Sequence, residues 1–376
     1  MNQLQTNAGA AAPTNLYHLS RQWASRPDDE RFVTLEGLRA AVALRTENVR
    51  TVEIQPKELY PDIVGRDVVL KHRKFERLDF THWSFGQTAQ VAKAPAAYLR
   101  RLPPELTTAL LTHGLRVDSD KGESAFYYED QGEGAGTLRA VTSPSYGRIF
   151  DLDVVDAVMR LNQEQGGRWV VPASSYTSHN PKRATTLYAS DRDVFCFLCD
   201  PANPIQIPGQ QAPSYRGFIV SNSETGSASF KLMLMLYEKV CDNRIIWGAR
   251  HVEQLSIRHN AGAPARFLRE AAPALEDYAE RSVEQEVQAI ERAQNLRLKT
   301  AAPGEGSYED ILRWVRERTG IAKGIIEDGW KQAQTEEGKV DTAWDMVQGI
   351  TAAARSIPHT DSRIAVEQAA TKLIPN

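Results

Sequence analysis

The stretch that decides the fold runs from residue 216 to residue 240: RGFIVSNS (216–223), a short ETG link, then SASFKLMLMLYEKV (227–240). The first piece is β-branched and aromatic and bounded by polar residues, so it predicts a core strand. The second is apolar on nearly every face, interrupted only by Lys231, Glu238 and Lys239, and predicts a helix buried all round over 227–240. Working outward, RWVVPAS (168–174) and DVFCFLCD (193–200) are further apolar runs expected to form strands, and Ile245 to His259 returns to β character. Strands and helices in no strict alternation make an α+β protein: a mixed or antiparallel sheet core with a buried helix, plus a helical C-terminal part.

Towards the N-terminus, residues 31–45 predict a short helix and 66–80 an extended segment. Three short helices are expected next. Ser84 would cap the first, Pro95 lies near the first turn of the second, and the third starts at Pro103-Pro104 and stops at Gly114. SAFYYED (124–130), QGEGAGT (131–137) and LRAVTS (138–143) read as a hairpin with a glycine-rich tip, and Asp151 as the N-cap of an amphipathic helix carrying Leu152, Val155 and Met159. Beyond Pro264, the spacing of Ala279, Val283, Val287 and Ile290 predicts an amphipathic helical arm over 271–299. A Pro303-Gly304-Glu305-Gly306 linker precedes a last helical unit with the stripe Val340, Trp344, Val347, Thr351 and Ala354. The expected organisation is a disordered leader (1–14), an N-terminal α/β segment (15–120), a β-rich core domain with the buried helix (121–270) and a helical C-terminal region (271–376).

Composition narrows the function classes. The chain has 376 residues, 41% hydrophobic and 25% charged, which excludes bulk disorder and fibrous repeats. No run approaches the length of a membrane-spanning helix, and residues 1–7 lack the basic flank and apolar stretch of a signal peptide, so a soluble, cytoplasmic protein without membrane association is expected. Three cysteines are too few and too odd for a secreted disulfide framework. The net charge of −3 does not advertise a polyanion partner for the whole chain. Its distribution is uneven: residues 214–270 carry eight Lys and Arg against five Asp and Glu, whereas residues 271–376 carry 13 against 18.

The string Arg216 to Ser227 (RGFIVSNSETGS), followed by Val240-Cys241-Asp242-Asn243, Ile246-Trp247-Gly248-Ala249 and Arg258-His259, resembles the phage/plasmid-like protein family, a domain of unknown function (DUF932). Ser190-Asp191-Arg192-Asp193 before an apolar run fits it, as do Thr342-Ala343-Trp344-Asp345 and Gly349 to Arg355 in the tail, so the resemblance spans most of 70–373. Cys196, Cys199 and Asp242 depart from the family pattern. The resemblance implies a protein carried by phages, prophages and conjugative plasmids, beside DNA-processing genes, with no assigned catalytic motif.

Candidate binding residues come from four places. An extended 250–258 segment would put Arg250, Gln254, Ser256 and Arg258 on one face and Leu255 and Ile257 on the other, with the two guanidinium groups about 26 Å apart at ~3.3 Å per residue. Arg216 belongs to the same cationic middle segment. The run Lys71-His72-Arg73-Lys74, with Phe75 and Arg77 close by, offers cations with an aromatic that could stack on an unpaired base. Ser221, Asn222 and Ser223 lead into the expected buried helix, where ordinary capping or anion binding would use the same polar groups. Residues 85–101 could form a helix-turn-helix presenting Tyr98, Arg100 and Arg101.

Cys196-x-x-Cys199 with Cys241 and His251 or His259 has the composition of a zinc site, but Val194-Phe195-Cys196-Phe197-Leu198 reads as buried strand, where cysteine acts as a small hydrophobe. No metal or other cofactor is expected. The chain has no H-E-x-x-H, G-x-S-x-G or Walker pattern, and no catalytic residues are assigned. The leading expectation is a non-enzymatic accessory protein that binds or anneals single-stranded DNA and works as a homo-oligomer. One alternative is a module that engages a host protein through the acidic C-terminal region. Another is an enzyme acting on nucleic acid or nucleotide through the Ser/Asn turn and its neighbouring histidines.

Overall fold

The computed structural model describes residues 28–118, 122–171, 185–210, 213–240, 244–250, 254–280, 282–354, 356–357 and 360–375. The expected leader (1–14), Cys241 and His251 lie outside them. Among the described residues the fold is α+β, with two sheets and a C-terminal helical layer.

The seven-stranded sheet is antiparallel throughout and contains β1 (Arg31–Phe32), β8 (Leu187–Ala189), β9 (Val194–Cys199), β10 (Ser214–Asn222), β11 (Phe230–Val240), β12 (Arg244–Arg250) and β13 (Gln254–Ile257). Its order is β1-β8-β9-β10-β11-β12, with β13 also on β11. The six-stranded sheet is mixed. It contains β2 (Val49–Ile54), β3 (Tyr60–Val64), β4 (Asp67–His72), β5 (Phe75–Phe80), β6 (Ser124–Gly132) and β7 (Ala135–Thr142), ordered β2-β6-β7-β5-β4-β3, with β5 and β7 parallel. The hairpin β6–β7 is as the sequence predicts. It pairs with β2 and β5, so one sheet crosses the expected segment boundary at residue 120.

The buried helix expected over 227–240 is instead strand β11, at the centre of the seven-stranded sheet and hydrogen-bonded to β10 on one side and β12 and β13 on the other. The physical reason is that both faces of the sheet are covered. Phe230, Leu232 and Leu234 enter the main core, while Met233 and Met235 enter a second cluster with Tyr188, Phe195, Phe197 and Ile219. A strand buried on both faces has no polar alternation, and the mostly apolar run of this eleven-residue strand then looks like a helix that is apolar all round.

Helix α1 (Leu35–Thr46) and helix α5 (Asp151–Glu164) pack on the main core, as does α6 (Ala263–Glu280) through Phe267, Ala271, Leu275 and Tyr278. Three helices cover the six-stranded sheet: α2 (His82–Val91), α3 (Ala96–Leu99) and α4 (Pro104–His113). The N-cap of α2 is Thr81 instead of Ser84, which serves as its partner three residues on in a capping box. Asp151 is likewise the first residue of α5, with Phe150 at the cap position. The expected strand at 168–174 is reduced among the described residues to a single bridge, Val170 to Cys199.

The arm expected over 271–299 is divided between α6, α7 (Glu284–Asn295) and the one-turn α8 (Leu298–Ala301). They are followed by α9 (Tyr308–Thr319), α10 (Lys323–Glu337), α11 (Ala343–Ala354) and α12 (Thr360–Ala370). The predicted stripe holds: Trp344, Val347, Thr351 and Ala354 are buried on α11. There α10 and α11 meet backbone to backbone, since a Cβ on Gly349 would sit 2.1 Å from the Gly329 carbonyl oxygen. No described helix is long and apolar enough to cross a membrane.

Candidate functional site

Two polar places stand out, and they touch the same helix, α2. The first is a buried junction between the sheets. As β10 ends, the Asn222–Gly226 turn leads straight into β11, so its polar groups cap no helix. Asn222 Nδ2 donates to the Ile149 carbonyl (2.9 Å) and to Asp151 Oδ1 (2.7 Å). Ser223 Oγ donates to the Arg192 carbonyl (2.6 Å) and accepts from the Ser227 amide (2.9 Å). Both Trp83 Nε1 and Gln87 Nε2 of α2 donate to the Thr225 carbonyl at 3.0 Å.

Glu224, 1% exposed, is the centre of the junction. One carboxylate oxygen accepts from Tyr127 Oη (3.1 Å) and lies 2.9 Å from Arg139 Nη1, both from the six-stranded sheet. The other accepts from the Asp151 backbone amide (3.1 Å), and the Glu224 carbonyl accepts from Arg148. The Arg148 guanidinium also covers the Tyr127 ring at 3.9 Å. Asp151 is buried beside this carboxylate. Desolvation first, then the Glu224 charge, pushes its pKa well above the usual carboxylate range, against the opposing effects of Asn222 and Arg139. Desolvation also raises the Tyr127 and Tyr146 phenols and lowers His259, which stacks on Tyr146 with ring centroids 5.0 Å apart. One buried ion pair, Arg139–Glu224, and the hydrogen bonds around it make this a clamp between the sheets.

The second place is an open groove of about 710 Å³ where the β3–β4 turn and β5 face α2, α3 and α4. Its cations are Arg66, Arg77 and Arg100, and its acids Asp67 and Asp79. Arg77 is spent on Asp79 (2.7 Å). Arg100 is not: Nη2 donates to the His82 carbonyl (2.7 Å) and the guanidinium lies 5.2 Å from the Phe85 centroid, with no carboxylate against it among the described residues. Burial lowers its pKa, and burial together with Arg100 and Arg192 lowers that of His82. Phe80 meets Phe85 edge-on at 5.5 Å and forms apolar wall.

The basic run ends β4 with Lys71 and His72 and continues through the β4–β5 turn with Arg73 and Lys74. Lys71 pairs with Asp62 at 2.7 Å, His72 is buried, Arg73 is 79% exposed and only 3.9 Å from Glu58, and Lys74 Nζ donates to the Glu53 carbonyl. Across the ladder from Lys71 is Tyr60 on the edge strand β3, 54% exposed, with the Arg116 guanidinium 5.7 Å from its ring centroid.

The other predicted residues are placed differently. Arg216 is buried, donates to the Ala279 carbonyl (2.6 Å) and lies over Tyr278. Asn222 and Ser223 are buried in the junction, and Ser221 is half-buried. Of the expected 250–258 strand, Arg250 ends β12 and Gln254–Ile257 form β13, with 251–253 outside the described residues. Arg250 pairs with Leu236 and Gln254 with Met233 on β11. Arg258 is exposed just beyond β13. Helix α3 is a single turn of four residues, too short for a recognition helix in a helix-turn-helix. Cys196 and Cys199 are buried on opposite faces of β9, one in the main core and one in the second cluster, so they cannot share a metal ion. Among the described residues no group of three metal-ligating side chains occurs.

Glu224, Asp151, Arg139 and the groove arginine Arg66 were missed as site residues, and Arg100 was read only as part of a helix-turn-helix that does not form. The one local signal was Glu224 itself, a lone charge inside a small polar turn between two apolar runs.

Residues 182–357 match the family model described as Domain of unknown function (DUF932). The match is narrower than the 70–373 resemblance: it takes in β8 to β13 and the helices through α11 and leaves out the six-stranded sheet. No curated protein and no solved structure matches the chain.

Proposed function

We propose that this chain, which carries a DUF932 domain over residues 182–357, is a non-enzymatic accessory protein of mobile elements that binds single-stranded nucleic acid along the β3–β4 rim of its six-stranded sheet. The observation that carries the reading is an exposed aromatic set among cations on an edge strand: Tyr60, with Arg116 over its ring, Lys71 across the ladder, and Arg73 almost free in solvent. A tyrosine face accepts any unpaired base by stacking, and the cations neutralise the phosphates on either side. The ion pairs of Lys71 and Arg73 are at the surface, where such contacts contribute little and phosphate competes for them readily. Arg216, Asn222 and Ser223 serve the core in this reading. With so few cations per protomer, useful affinity comes from several copies of the chain on one strand.

The test is fluorescence anisotropy of a labelled single-stranded oligonucleotide, titrated at several salt concentrations. Three or four phosphate contacts give a log–log salt slope of about −2 to −3 at ~0.7 per phosphate. The variant Y60A/R73A/R116A is expected to lose at least tenfold in affinity while keeping the wild-type circular dichroism. Absence of binding at low salt, or a triple variant that binds like wild type, overturns the proposal.

A further inference from the structure

We infer that the groove between the β3–β4 turn and α2–α4 is a binding site for a mononucleotide, with Arg100 and Arg66 taking the phosphate and the Phe80–Phe85 wall taking the base. This stands apart from the rim proposed above, because its ligand is a free nucleotide. The groove and Arg73 lie at opposite ends of β4, roughly 20 Å apart at ~3.3 Å per residue.

Four observations converge. A volume of about 710 Å³ falls in the range of sites that enclose a small organic molecule. Arg100 is a partly desolvated cation whose positive charge no described carboxylate balances, held in place by the His82 carbonyl and the Phe85 ring. One donor is used there, and the guanidinium fork retains others for an oxyanion. Arg66 is exposed on the opposite rim, again with no acid against it among the described residues. The Phe80 and Phe85 rings are half-buried and offer apolar contact to a flat ring, while Asp67 and Asp79 supply acceptors suited to the exocyclic amine or sugar hydroxyls that a bare phosphate lacks. Anionic, flat and hydrogen-bond-donating chemistry together describe a nucleotide. His82 at the groove wall has its pKa lowered, so it is neutral near pH 7 and adds no charge there.

The experiment is isothermal titration of the full chain with deoxythymidine monophosphate and with adenosine monophosphate, beside the matching nucleosides and inorganic phosphate. Saturable binding of at least one monophosphate is expected, with its nucleoside and inorganic phosphate each at least tenfold weaker. R100A should lose at least tenfold, and R66A, at an exposed position, should lose several-fold with wild-type circular dichroism. Y60A/R73A should leave nucleotide binding unchanged, so the rim and the groove fail separately. The inference is overturned if neither monophosphate saturates the site, if R100A and R66A bind as wild type, or if phosphate alone binds as tightly as the nucleotide.

Discussion

The Glu224 junction and the Arg100 groove both set arginines against aromatic rings, yet one is closed and the other open. In the junction Arg139 and Arg148 meet the carboxylate and carbonyl of Glu224, and both side chains of the Arg139–Glu224 pair are at most 5% exposed. In the groove Arg100 finds a carbonyl and a ring but no carboxylate. The difference separates a charge that serves the fold from one that is left for a ligand. The buried Arg139 is matched by the Glu224 carboxylate and serves the fold, whereas a cation at an open rim such as Arg100 can keep its donors for solvent or an incoming anion.

The largest effect that would break this comparison is at Glu224. E224A strands Arg139 in a dry site, and removal of one partner from a buried pair costs about 3–5 kcal/mol. Urea unfolding should show that loss, and E224Q should show a smaller one, because the amide keeps the shape and one acceptor. Replacing Arg139 by Met alongside E224Q should recover part of the stability, since an apolar substitute leaves no orphan charge. An E224A protein as stable as wild type would mean that the junction is no clamp.

Asp151 gives the next effect, and it depends on pH. Its carboxyl titrates well above the unfolded value of about 3.9, so the folded state holds a proton that the unfolded state releases. The stability this contributes is fully present below pH ~4 and is lost as pH rises towards the folded pKa, at a slope of at most about 1.4 kcal/mol per pH unit. Asn has the same shape, accepts from Asn222 and cannot ionise. D151N is therefore expected to be more stable than wild type at neutral pH, by a margin that shrinks towards pH 4. Melting temperatures measured from pH 4 to pH 8 would show the margin, and a margin that does not change with pH would refute the protonated assignment. His259 acts with the opposite sign: its lowered pKa costs stability as pH falls below about 6.5, so the pH-dependent part of the effect of replacing it should fall on the acid side.

These two regions also show what a sequence can and cannot carry. The hairpin β6–β7, strands β9 and β10, α4 between its prolines and Gly114, and the α11 stripe were legible, because each is written in alternation, caps or helical spacing. β11 was not, because burial on both faces erases the alternation that tells strand from helix. The junction was not legible either. Glu224 meets Asp151 across 73 residues and Tyr127 across 97, and no local spacing encodes such a meeting. Arg216 looked like a surface cation because nothing near it in sequence tells that Ala279 and Tyr278 fold over it. The basic run was legible as charge. That Tyr60 and Arg116 join it depends on the β3–β4 ladder and on the chain beyond α4.

The smallest effect sharpens the comparison most. R100A removes one hydrogen bond to the His82 carbonyl and a cation–ring contact at a position that remains solvent-accessible, and contacts of that kind contribute at most about 1 kcal/mol at exposed sites. The same change relieves a partly desolvated charge, which offsets part of the loss. Urea unfolding should therefore show a stability within about 1 kcal/mol of wild type, several-fold less than the E224A penalty, even though one arginine is lost at the groove and one arginine is merely orphaned at the junction. If Arg100 were a structural residue like Arg139, its removal would cost as much as breaking the clamp. A destabilisation comparable to that of E224A would place the groove on the structural side of the divide and leave it without a charge to spare for any anion.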